Sequence, residues 1–114
     1  MKLDQFWAME KKFWMDGEDF FESSMAPDAH MVFPDPVGIM IGQEIIDGLR
    51  DAPRWSSVEF ASKSATQLGE TVSLAYHAVA RRVGSDPYRA LCSSTYAHDS
   101  KGWLLLAHQQ AFVG

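Results

Sequence analysis

Two carboxylates in this 114-residue chain stand where carboxylates are unusual. Asp35 lies in Met31-Val32-Phe33-Pro34-Asp35-Pro36-Val37-Gly38-Ile39-Met40-Ile41-Gly42, a Pro-Asp-Pro corner between two short apolar runs. Each run is bounded by turn residues and is too short for a globular helix, so the segment reads as two short strands. Proline fixes φ and has no N–H to donate, which keeps the corner out of a sheet interior. Pro36 also drives Asp35 away from the helical region. The result is one carboxylate on a stiff, extended corner. It either bonds nearby backbone N–H groups as a turn residue or faces a site as an acid or base. Glu10 falls on the apolar stripe of an N-terminal helix, between Trp7 and Trp14. It either reaches water at the edge of that stripe or points into a cavity. In a cavity, lost hydration raises its pKa and makes it an acid–base candidate.

Other reactive side chains are sorted by strand parity. Tyr88, Ala90, Cys92, Ser94 and Tyr96 share one face of a strand, and Tyr76 shares a face with Val72, Leu74 and Ala78 on its neighbour. Core packing with a satisfied hydroxyl is the simplest role for the two tyrosines Tyr76 and Tyr96. His77 and His108 have the opposite parity and are expected at a subunit interface or in solvent; His30 is expected in a loop. Four histidines without short spacing make no metal site. Cys92 is the single cysteine, which excludes an intrachain disulfide and a cysteine metal cluster. No base or activating charge stands beside it in sequence, so it reads as a buried structural thiol. Arg81, Arg82 and Arg89 gather near one hairpin end, where they are solvated or bind an anion at a rim.

The elements that must position these groups divide the chain in two. Residues 3–16 carry Leu3, Phe6, Trp7, Phe13 and Trp14 at helical spacing. Gly17 ends that helix; Glu18 to Met25 form a second, with acids in its first turn and Pro27 beyond its end. After the Asp35 corner, Gln43 to Ala52 form a third, with Ile45, Ile46 and Leu49 on one side and Pro53 closing it. The back half reads as strands at Trp55–Leu68, Thr71–Val83, Tyr88–His98 and Trp103–Val113, separated by Gly69-Glu70, Gly84-Ser85-Asp86-Pro87 and Asp99-Ser100-Lys101-Gly102. Short connections between consecutive strands imply an antiparallel meander. Helices first and strands after describe an α+β fold. In the last strand, Trp103, Leu105, Ala107 and Gln109 alternate with Leu104, Leu106, His108 and Gln110. Both sets begin apolar, so one face packs on the helices and the other calls for a cover. A second copy of the chain supplies it economically, which predicts a homodimer through the outer sheet face.

Bulk properties bound the function. The length suits one domain spanning residues 1–114 with a single core. A net charge of −5 without a basic stripe argues against nucleic acid. No apolar run reaches membrane-spanning length and no signal-peptide pattern opens the chain. A cytoplasmic location is the expectation. Four Trp and seven Phe in so short a chain suggest an aromatic-lined interior, a partner surface, or both.

Three helices packed into a curved antiparallel sheet resemble the NTF2-like cone fold over nearly the whole chain. Within that superfamily the chain looks most like the SnoaL-like and DUF4440 proteins. The residues that carry this are Met31-Val32-Phe33-Pro34, Ala52-Pro53-Arg54-Trp55, Tyr88-Arg89-Ala90-Leu91, and Gly102-Trp103 with His108-Gln109-Gln110. The resemblance implies a pocket for a small, largely apolar molecule, with Trp7, Trp14, Phe33, Trp55, Tyr76, Ser94, Tyr96 and Gln109 as its ligand-binding residues. It implies no cofactor. Asp35-Pro36-Val37-Gly38 is similar to the corner of ketosteroid isomerases that carries their general base. By that likeness Asp35 would take a proton from a carbon beside a carbonyl; Glu10, from its place on the helix stripe, is the other catalytic acid–base candidate. The two oxyanion-donor positions of those isomerases, a tyrosine and a protonated aspartate, are held here by Glu10 and Ser94. Each such donor is worth about 2.7–4 kcal/mol, so the likeness points to cofactor-free isomerase, dehydratase or cyclase chemistry more broadly than to steroid isomerisation. A non-catalytic ligand-binding or dimerising association module is the competing expectation.

Overall fold

A computed structural model describes residues 1–113. Helix α1 (Leu3–Met15) buries Phe6, Glu10, Phe13 and Trp14. Their three- and four-residue spacing puts them on one stripe, whereas Leu3 is exposed. Gly17 separates α1 from helix α2 (Glu18–Ser24), which buries Phe21. Met25 does not close α2; it opens strand β1 (Met25–Val32). Pro27 is tolerated inside that strand because the pairing register of β1 shifts between Met25 and His30, where no ladder bond is asked of it.

The Pro-Asp-Pro corner joins β1 to strand β2 (Ile39–Ile41) as a hairpin. Phe33 N–H donates to Gly38 O at 2.9 Å, and Val37 N–H to Pro34 O at 3.2 Å. Gly42 follows at φ +56°, and a Cβ there would stand 2.7 Å from Pro27 O. Only glycine combines that φ with so close an approach. Helix α3 (Gln43–Arg50) then buries Ile45 and Ile46.

Strands β3 (Ser57–Leu68), β4 (Thr71–Arg81), β5 (Tyr88–Asp99) and β6 (Gly102–Phe112) form the expected antiparallel meander. The six-stranded sheet has the order β2-β1-β6-β5-β4-β3. Strand β1 runs parallel to β6, so the sheet is mixed and not wholly antiparallel as the sequence suggested. The link between these two strands contains a helix and four strands, and no tight turn dictates their relative direction. The α+β architecture is otherwise the expected one: three helices packed on one sheet.

Two bulges matter for side-chain direction. In β3 the register shifts between Ala61 and Ser64, with Ser62 at φ 53°. In β6, Ala107 pairs with Thr95 while Leu105 pairs with Tyr96, leaving Leu106 as an extra residue. An extra residue reverses the in–out alternation beyond it. Leu105 and His108, of opposite parity, are therefore both buried.

The core gathers Phe6, Phe13, Trp14, Phe21, Leu74, Tyr76, Tyr96 and Leu105 between helices and sheet. Edge-to-face contacts of Phe6 with Trp103 (4.8 Å between centroids) and of Phe13 with Phe21 (4.9 Å) tie α1 to β6 and α2. On the other face, the pairs Val32–Ile39, His30–Ile41, Ser93–Gln109 and Leu91–Ala111 lie side by side. His30 is thus a strand residue, paired with Ile41 and Ala107, and not in a loop. No helix among the described residues is long and apolar enough to cross a membrane.

Candidate functional site

A cavity of about 710 Å³ opens between the helices and the concave side of the sheet. That volume suits a small organic molecule. Trp14 and Phe21 come to it from the first two helices, Leu49 from α3, Phe33 and Asp35 from the β1–β2 hairpin, and Trp55 from the approach to β3. Tyr88, His108, Gln110 and Phe112 close it from β5 and β6. Its walls are mostly apolar, with Arg54 and Arg82 on one side.

Glu10 lies behind this cavity and is not among its lining residues. Its side chain is 1% exposed. The carboxylate accepts hydrogen bonds from the hydroxyls of Tyr76, Ser94 (2.6 Å, to Oε2) and Tyr96 (2.6 Å, to Oε1). Tyr76 in turn accepts the indole N–H of Trp14 at 2.9 Å, which leaves its own proton for Glu10. His108 Nδ1 stands 3.3 Å from Glu10 Oε2 and 2.7 Å from Ser94 Oγ. Every oxygen of the buried carboxylate therefore has donors, as a buried charge requires.

The electrostatic result reverses the sequence expectation. Burial pushes the Glu10 carboxyl up, but the hydrogen bond and charge of His108 and the hydroxyls of Ser94 and Tyr76 outweigh it. The carboxyl is held below its ordinary value. Burial and then the Glu10 charge push Tyr76 and Tyr96 well above the usual tyrosine range, so both remain donors. Burial, reinforced by Glu10, pushes the Cys92 thiol up to about 12.

The network continues to the cavity wall. Gln110 Nε2 is 3.1 Å from His108 Nε2, and Tyr88 O–H donates to Gln110 Oε1 at 2.9 Å. One proton assignment satisfies the whole chain. Tyr88 donates to the Gln110 carbonyl, the Gln110 amide donates to His108 Nε2, and His108 Nδ1–H donates toward Ser94 and Glu10. An imidazolium is also accommodated once the Gln110 amide turns over to present its oxygen. His108 is thus the group that joins the buried carboxylate to the cavity.

The residues singled out from sequence separate into three locations. Asp35, Trp14, Phe33 and Trp55 line the cavity, with Asp35 exposed on the hairpin. Glu10, Tyr76, Ser94 and Tyr96 form the buried network beneath it. Trp7 packs instead on Tyr76 (5.6 Å) and Phe60 (6.0 Å), away from the cavity lining. Gln109 is exposed on the outer sheet face, paired with Val32 and Ser93. The parity expectation for His108 fails for the same reason. The Leu106 bulge turns His108 and Gln110 inward and Gln109 outward. Nothing in Leu104-Leu105-Leu106-Ala107 marks which residue is extra, so sequence offers no signal for it. Arg54 stands in the sequence within Ala52-Pro53-Arg54-Trp55, with no role assigned to its side chain. It donates to the carbonyls of Phe13 (2.7 Å), Trp14 (2.6 Å) and Asp16 (2.8 Å), satisfying acceptors at the end of α1. Among the described residues, no group of three His, Cys, Asp or Glu side chains is placed to hold a metal ion.

No family model and no curated protein matches the sequence. Solved structures do. An NTF2-like protein of unknown function in nutrient uptake from Rhodospirillum rubrum aligns with a TM-score of 0.83 at 13% identity, covering 100% of both chains. A candidate ketosteroid isomerase from Parabacteroides distasonis aligns at 0.79 and 11% identity, covering 95% of this chain and 85% of its own. A candidate calcium/calmodulin-dependent kinase II association domain from Exiguobacterium sibiricum aligns at 0.79 and 16% identity, covering 98% of this chain and 91% of its own. These identities speak to architecture and not to activity. Three helices packed on a six-stranded mixed sheet in this order give the chain the NTF2-like fold.

Proposed function

We propose that this protein binds a small, largely apolar molecule in the cavity and performs cofactor-free acid–base chemistry on it. The observation that carries this reading is the path from the cavity wall through His108 to the buried Glu10 carboxylate. A carboxylate behind an imidazole orients the ring and fixes its tautomer, and His108 is the group placed to exchange a proton with a ligand. Glu10 then acts through His108 as a positioning residue, and Asp35 at the mouth serves as the second acid or base. Isomerisation, dehydration or cyclisation of a carbonyl compound fits two such groups across an apolar cavity. The SnoaL-like and DUF4440 likeness of the sequence belongs to the same reading. So does a reducing, cytoplasmic setting, which suits a buried thiol held at about 12.

The test combines binding with exchange. Planar phenols, ketosteroids and polyketide-like aromatics are screened by thermal shift on wild type, Asp35→Asn and His108→Gln. Deuterium uptake beside the carbonyl of any bound ketone is then followed by NMR. A ligand at 100 times its dissociation constant stabilises the fold by roughly 2.7 kcal/mol, a readable shift. Binding with exchange that falls in either variant supports the enzyme. Binding with no exchange leaves a ligand carrier.

A second reading is favoured by the outer sheet face. Val32, Ile39, Ile41 and Leu91 are exposed there beside small side chains such as Ala75, Ser93 and Ala111. A face of this composition packs well against its own copy, and the Exiguobacterium neighbour is described as an association domain. A homodimer through this face is compatible with either a catalytic or a purely associating role.

A further inference from the structure

The arginine side of the cavity has chemistry that an apolar ligand alone does not use. Arg82, just past β4, lays its guanidinium over the Trp55 ring at 3.8 Å and donates through Nη2 to Pro53 O at 3.0 Å. Its Nε–H is buried and has no hydrogen-bond partner among the described residues. Arg54 uses Nε and one terminal nitrogen, Nη2, on the carbonyls at the end of α1. Each guanidinium has five N–H groups, so both keep donors in reserve. Neither is in a salt bridge with a carboxylate among the described residues; the ion pairs there involve Arg50, His98 and His108. Burial first, and then the charge of Arg82, hold the Arg54 pKa below its usual value against the opposing charge of Asp16.

Buried or half-buried cations are normally paired. Here two of them line a mostly apolar cavity, and neither forms a salt bridge with a carboxylate among the described residues. The one acidic lining residue, Asp35, belongs to the β1–β2 hairpin, at the opposite end of the strand order from β4 and β3. Trp55 stacks on Tyr88 (5.5 Å, 18°) and Tyr88 on Phe112 (5.9 Å, 20°), a row of aromatic rings that lines the cavity next to Arg82.

We infer that the cavity takes an aromatic carboxylate, its ring against Trp55 and Tyr88 and its carboxylate on Arg82 and Arg54. This deepens the proposed function and rests on it. The carboxylate supplies the missing counter-charge and accepts terminal N–H groups that Arg82 and Arg54 leave unused, and a guanidinium presents a fork that matches it. The ligand's far end then points toward His108 and Asp35, away from the arginines.

The experiment is isothermal titration of the full chain with 2-naphthoate, 2-naphthylmethanol and 2-naphthylmethylammonium, repeated on Arg82→Gln and on the exposed neighbour variant Arg81→Gln. A charge-assisted hydrogen bond predicts naphthoate binding about tenfold or more tighter than the alcohol, with the cation weakest. Arg82→Gln should erase that preference, and Arg81→Gln should keep it. Equal affinity of naphthoate and alcohol overturns the carboxylate assignment while leaving the apolar pocket standing. A preference that survives in Arg82→Gln overturns the role of Arg82. If none of the three binds, the ligand-binding reading falls as well. Should Arg82→Gln fail to fold, the ranking of the three probes on wild type still decides.

Discussion

His108 Nδ1 stands 3.3 Å from Glu10 Oε2, and both residues are buried, 7% and 1% exposed. One comes from the middle of β6, an interior strand of the sheet, and the other from the middle of the first helix, so their meeting ties α1 to β6. It also couples fold stability to the state of the cavity, because Gln110 on the other side of the imidazole lines that cavity. A ligand that bonds to His108 or Gln110 acts on the same network that holds α1.

Removing the Glu10 charge leaves its donors facing the wrong partner. Glu10→Gln presents an amide N–H₂ to the hydroxyls of Tyr76, Ser94 or Tyr96 and removes a carboxylate oxygen facing His108 Nδ1. Leaving a buried group short of its partner costs about 1–3 kcal/mol. Urea unfolding of wild type and variant at neutral pH measures it; a change under about 1 kcal/mol would contradict the network as described.

The same carboxylate sets an acid limit. Its folded pKa is depressed below the unfolded value of 4.5, so its contribution is present above that value. It is lost as the pH falls through the folded value. The gap in stability between wild type and Glu10→Gln should therefore shrink as the pH is lowered from 5 toward 3. Denaturant midpoints across that window provide the check.

Tyr96→Phe deletes one donor to Glu10 Oε1 while preserving the ring that packs on Phe6. The expected cost is about 1–3 kcal/mol, the range for leaving a buried group short of a partner. In the Glu10→Gln background the cost should differ, since the two residues share one hydrogen bond. A double-mutant cycle measures that coupling.

Gly42→Ala tests the turn from β2 into α3. A methyl group would meet Pro27 O at 2.7 Å with φ at +56°. A strained backbone of this kind costs about 1–3 kcal/mol. Thermal melting should show the loss without any change in ligand preference, because Gly42 does not line the cavity.

Leu91, 56% exposed on the outer sheet face, is central to the proposed self-association. Leu91→Lys should shift the sedimentation coefficient from dimer to monomer and leave cavity binding intact. A wild-type chain that sediments as a monomer at high concentration would remove the dimer.

Much of this protein was legible in one dimension. Helical spacing in residues 3–16 placed Phe6, Phe13 and Trp14 inward, and turn chemistry at Gly69, Gly84 and Gly102 divided the meander, because both signals are local. The same stripe marked Glu10 as a charge in an apolar line. Its ionised state lay beyond sequence, since it depends on hydroxyls and an imidazole contributed by residues 76, 94, 96 and 108. Burial alone would raise the carboxyl; only the assembled donors lower it. Direction in β6 was likewise a tertiary decision. Strict alternation sends His108 outward, and a single extra residue at Leu106 sends it in. A bulge is chosen by the fit of two strands and the core beneath them. The parallel partnership of β1 with β6 has the same origin, in packing that joins segments far apart along the chain.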